Sequence, residues 1–77
     1  MLYVLVCKDK IDSEELRKEV RPDHLQYLED FDIKLAGPIL SDDQTTMIGS
    51  MILLDCENRE TAEAFASQDP YNNAGLF

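Results

Sequence analysis

The sequence has a single histidine, His24, and only two cysteines, Cys7 and Cys56. The thiols lie far apart and share no paired spacing. A metal centre of the usual Cys/His type therefore lacks ligands. Two free thiols fit a reducing cytoplasm rather than a disulfide scaffold. Basic residues are also scarce: 7 Lys and Arg stand against 16 Asp and Glu, a formal charge of −9. Nucleic acid and anionic membranes would be repelled by most of such a surface, so neither is an expected partner. The main consequence of the acid is solubility. No stretch approaches the ~20 apolar residues of a membrane span. The opening Met1-Leu2-Tyr3-Val4-Leu5-Val6-Cys7 lacks a basic start and a small-residue cleavage site, so it is not read as a secretion signal. No repeat, low-complexity stretch or linker divides the 77 residues, which are read as one domain, 1–77.

A domain of this size buries only roughly 60% of its unfolded surface. Disulfides, a metal or a partner chain usually support such a scaffold. With the first two unsupported, self-association into a homodimer or higher homo-oligomer is expected.

What is present reads as a short alternation of strands and helices. Leu2 to Cys7 is rich in β-formers and bounded by Lys8-Asp9-Lys10, which marks a strand. Leu2, Val4 and Val6 point to one face; Tyr3, Leu5 and Cys7 point to the other. Asp12 with Glu15 forms a capping-box pattern ahead of a helical stretch from Ser13 to Val20. Pro22 interrupts it and suits the first position of a second helix, Pro22 to Phe31, with Leu25, Leu28 and Phe31 at helical spacing. His24 then sits in a first turn, beside the buried face. Ile33 to Leu40 is a second strand, bent or ended at Gly37-Pro38. Ser41 to Gln44 is a turn. Thr46 to Leu54 is a third strand, where Gly49 is a candidate bulge. Asn58 caps a last helix, Arg59 to Gln68, with Ala62, Phe65 and Ala66 as its buried stripe. Asp69-Pro70 stops it, and the tail is a loop with room for one helical turn.

The order β-α-β-β-α is the ferredoxin-like split βαβ pattern, an α+β fold without its last strand. Two helices would cover one face of an antiparallel sheet. The other face, apolar along strands one and three, would be bare in a monomer. An exposed apolar face of that size marks an interface, here between two sheets packed face to face. Strand directions put the start of the His24 helix and the end of the last helix at one end of the sheet. Cys7 lies at that end and Cys56 at the other. A disulfide needs Cα atoms within about 7 Å, so no bond between them is expected.

Several segments together resemble the YciI-like (YCII-related) family. They are Leu2-Tyr3-Val4, Arg21-Pro22-Asp23-His24-Leu25, Gly37-Pro38, Gly49-Ser50, Asp69-Pro70-Tyr71 and Ala74-Gly75-Leu76-Phe77. They keep the family's order across nearly the whole chain. The resemblance implies a ferredoxin-like dimer related to the dimeric α+β barrels. It also implies a site centred on a His–Asp pair, carried here by His24 and Asp69. One branch of the family is associated with chloride elimination from chlorinated hydroxy-aromatics. Family members usually add a further strand after the Gly-Leu-Phe segment, whereas this sequence stops at Phe77. The expectation is a sheet left open at that edge, or a chain truncated before its last strand.

The chemistry open to such a pair is proton transfer, because histidine alone has an unperturbed pKa near neutrality. An acid partner fixes the ring tautomer and favours imidazolium; a helix N-terminus beneath the ring opposes it. Each residue also has a plainer reading. His24 could be a structural histidine, and Asp69 could merely end a helix before Pro70. Arg17 and Arg21 suit a substrate anion, yet could simply offset neighbouring acids. Ser13 and Tyr71 are further candidates for substrate contact. The leading expectation is a cofactor-independent enzyme acting on a small molecule by elimination or isomerisation. The alternative is a non-catalytic dimeric module that binds a metabolite or partner. A His24 coupled to Asp69 and facing an accessible cavity favours the enzyme; a ring capped by backbone groups favours the module.

Overall fold

In the computed structural model, which covers residues 1–77, strand β1 spans Leu2–Lys8 and helix α1 spans Glu14–Leu28. Strands β2 (Ile33–Leu40) and β3 (Met47–Asp55) follow, then helix α2 (Arg59–Gln68) and one short turn, α3 (Pro70–Asn73). The sheet order is β1-β3-β2, with β3 antiparallel to both neighbours. β1 and β2 are therefore parallel, with β3 between them, which is the split βαβ arrangement of a ferredoxin-like α+β fold.

Alternation divides the sheet cleanly. Tyr3 and Leu5 of β1 turn inward and pack on a core of Ile52, Leu54, Ala62 and Phe65. Phe65 also meets Tyr27 and Phe31 at ring distances of 5.3 and 4.7 Å, and the Tyr27 hydroxyl donates to the Phe65 carbonyl at 2.9 Å. The opposite face carries Leu2, Val4, Val6 and Leu35, each more than half exposed.

The helical region differs from the expectation in two ways. Residues 14–28 form one helix through Pro22, not two separated by it. An interior proline costs a hydrogen bond and about 3 kcal/mol relative to alanine. Pro22 is exposed, while Arg17 and His24 on either side are buried and anchored, so tertiary contacts hold the two halves in one axis. The capping box also does not form. Asp12 adopts a left-handed φ of 59°, and Ser13 occupies the N-cap, its carbonyl accepting from Arg17 N–H at 3.0 Å.

The start of β3 is irregular where Gly49 was expected to mark a bulge. Ile39 pairs with Gly49 and Leu40 with Met47, which leaves Ile48 as an extra residue on β3. A Cβ on Gly49 would lie 2.5 Å from the Cys7 carbonyl oxygen, so β1 approaches closely only because the side chain is missing. The thiols are free: Cys7 pairs with Ser50, while Cys56 bonds Met1 at the other end of the sheet. No helix is long and apolar enough to cross a membrane.

Candidate active site

Asp69 stands where α2 stops. Its ψ of 131° breaks the helix, and its Oδ1 accepts from the Tyr71 backbone N–H at 2.9 Å to cap α3. The same carboxylate lies 2.9 and 3.0 Å from His24 Nδ1. An ionised carboxylate can only accept, so Nδ1 carries the proton and Nε2 is the free nitrogen in the neutral ring. Both residues are buried, Asp69 at 1% and His24 at 6% exposure. Nε2 has no protein partner, yet no side-chain nitrogen or oxygen is fully enclosed without one. It is therefore open, and His24 borders a cavity of about 120 Å³.

His24 lies ten residues past the start of α1 rather than in a first turn. The positive end of the helix dipole consequently does not sit beneath the ring, and the opposing influence expected from it is absent. His24 lines a cavity with Gly37, Pro38 and Ser50, and Ser50 is the strand partner of Cys7.

Around the pair the side chains form a stack. The Tyr71 ring packs on the His24 ring with centroids 4.0 Å apart and planes 19° from parallel. Arg17, two helical turns before His24, places its guanidinium carbon 4.6 Å from the Tyr71 centroid. Its Nε and Nη2 donate to the two oxygens of Asp9 at 2.6 and 2.7 Å, and Nη2 also donates to Ser50 Oγ at 2.9 Å. Burial works against the Arg17 charge, but the hydrogen bonds and charge of Asp9 outweigh it and raise the pKa. The expectation of an Arg17 fork free for a substrate anion thus fails, because Asp9 occupies it. Arg21 is exposed, borders the same cavity and makes no ion pair. Ser13 is not beside His24; it borders a larger concavity of about 530 Å³ between the β1–α1 loop and the start of β3. The larger space holds no histidine. His24 borders the smaller one, with Asp69 behind it on Nδ1.

Asp9 and Ser50 are the residues that sequence reasoning missed. Asp9, between two lysines, looks like a solvated strand end. Ser50 shares a face with Ile52 and Leu54, which turns it inward, and no spacing names it as a partner for Arg17.

Burial raises the Cys7 thiol, with the charge of Asp69 adding to it. Burial also raises the Tyr71 phenol, against the pull of Arg17 and Arg21. Both groups hold their protons more tightly folded than unfolded. Their stabilising contribution is complete below the ordinary values of 9.0 and 10.0 and is lost as pH rises through the folded values. The thermal midpoint is therefore expected to fall above about pH 9. A midpoint that stays flat through that window counts against it.

The α+β architecture with its three-stranded antiparallel sheet is shared with known proteins. The YCII-related domain family matches residues 1–77, and the chain belongs to that family. Protein YciI of Escherichia coli O6:H1 is 37% identical, the match spanning 100% of this chain and 88% of that protein. An uncharacterized protein of Haemophilus influenzae is 31% identical over the same shares. Among solved structures, 5-chloro-2-hydroxyhydroquinone dehydrochlorinase from Burkholderia phenoliruptrix AC1100, in complex with 2,5-dihydroxybenzoquinone, superposes with a TM-score of 0.90 at 32% identity. That match covers 100% of this chain and 85% of the dehydrochlorinase.

Proposed function

We propose that this protein is a cofactor-independent enzyme that moves a proton on a small, ring-sized molecule, in an elimination or isomerisation. The observation that carries this reading is His24 itself: Nδ1 is held by a buried carboxylate, Nε2 has no protein partner, and the residue lines a small cavity. A neutral imidazole so held is a general base. Nε2 takes a proton from an acidic hydroxyl or C–H of the substrate. In an elimination, the electron pair left behind forms the new π bond as the leaving group departs with its own pair. Asp69 stabilises the imidazolium that forms, and Arg21 and Tyr71 border the cavity where substrate oxygens would lie. The structural neighbour's dehydrochlorination and its one-ring ligand support this class of chemistry. The ring is coupled to an acid rather than capped by backbone groups, which favours catalysis over a binding module.

The test is a titration of 2,5-dihydroxybenzoquinone against labelled protein, followed at the His24 ring, with turnover assayed on 5-chloro-2-hydroxyhydroquinone as chloride release. His24 signals should move, and His24→Gln should lower turnover by about 10²–10⁴-fold. Binding that survives His24→Gln, with no turnover in the wild type, would establish the module instead.

The molecule works as a homodimer in this reading, its sheets packed through Leu2, Val4, Val6 and Leu35. Sedimentation should give twice the chain mass, and Val4→Lys should halve it. A monomeric wild type would remove the dimer. A reducing cytoplasm is the compartment that suits its two free thiols.

A further inference from the structure

The small cavity beside His24 and the larger concavity above it have one lining residue in common, Met47. Its position there follows from the bulge. Val6, Met51 and Gly49 belong to the open face of the sheet, and Ser50 and Ile52 to the helix face. Regular alternation from Gly49 would return Met47 to the open face. The extra residue Ile48 reverses this, pairing Met47 with Leu40 and turning it to the side of Ser50, Ile52 and His24. Bulges re-aim side chains in this way beside functional sites. The missing side chain at Gly49 leaves the room β1 needs at that point.

We propose that Met47 is the specificity-determining wall of the site, setting how large a substrate reaches His24. This rests on the function proposed above. With Met47 in place, the space beside His24 is about 120 Å³; beyond it lies about 530 Å³. Met47 is 37% exposed, and its unbranched chain adapts to what it touches. Shortening it to alanine joins the two spaces without removing a core residue.

The experiment compares a one-ring probe, 2,5-dihydroxybenzoquinone, with a two-ring probe, 2-hydroxynaphthoquinone. Dissociation constants are read from the His24 ring signals of wild type and Met47→Ala. Wild type should prefer the one-ring probe. Met47→Ala should bind the two-ring probe about tenfold more tightly than wild type does, with one-ring binding changed by less than about threefold. Met47→Leu, a milder change, should fall between them and serves if the alanine variant does not fold. An unchanged preference in the variants, or a wild type that takes both probes equally, overturns Met47 as the wall while the His24 chemistry stands. A one-ring probe that leaves His24 unmoved in every variant overturns the proposed function, and this inference with it.

Discussion

Asp69→Asn should lower turnover by about 10²–10⁴-fold while the protein remains folded. The carboxylate accepts from His24 Nδ1 and from the Tyr71 N–H with oxygens that carry a full charge. An asparagine side chain offers one acceptor and one donor. Its oxygen can keep the cap on α3, but then its amide faces Nδ1 and favours the tautomer with the proton on Nε2. That ring cannot act as a base toward the cavity. An imidazolium formed during reaction also loses its counter-charge. The loss of a charged hydrogen bond should destabilise the fold by about 1.5–3 kcal/mol. The chain has one histidine, so a long-range nitrogen–proton correlation spectrum reads its tautomer without ambiguity. The wild type should show Nδ1–H, and the variant a mixture or the reverse. Unchanged turnover with an unchanged tautomer would mean that Asp69 serves only to end α2 and start α3.

The elements were legible wherever local signals decided them. Ile33–Leu40 and Arg59–Gln68 appear with the expected bounds, because Asn58, Pro70 and the apolar runs act over a few residues. The open apolar face was legible for the same reason: alternation along β1 is a local property. Pro22 misled, because a rule about isolated helices does not know that Arg17 and His24 are pinned on either side of it. The fully buried positions of α1 are those two polar residues; of the expected stripe, Leu28 packs partly buried against the core, while Leu25 and Phe31 remain exposed. Apolar periodicity cannot find the part of a buried helix face that is polar. The meeting of His24 with Asp69 was within reach of topology and resemblance. The Asp9–Arg17–Ser50 cluster was not, since it joins three elements through side-chain geometry that no spacing encodes.

That cluster supplies the second large effect. Asp9→Ala should destabilise the protein by about 3–5 kcal/mol, because it leaves the Arg17 charge buried and unpaired. Both side chains are nearly inaccessible, and two of the guanidinium's contacts end on Asp9. Small domains have only about 5–15 kcal/mol in all, so the single variant should stand close to unfolding. Urea denaturation measures this directly, and a loss below about 1 kcal/mol would show that water or Ser50 satisfies Arg17 without Asp9. Replacing both partners, Asp9→Leu with Arg17→Met, removes the unpaired charge and should restore much of the stability. The double variant then separates folding from function. Its thioether side chain would fill space beside Tyr71 but supply no cation to the ring, a contact worth about 0.5–2 kcal/mol. Tyr71 in turn lies against His24. If the pair exists to hold that stack, the double variant folds yet turns over more slowly, with a changed Tyr71 titration. If it folds and reacts like the wild type, the buried pair is a device of the fold alone, and the site begins at Tyr71.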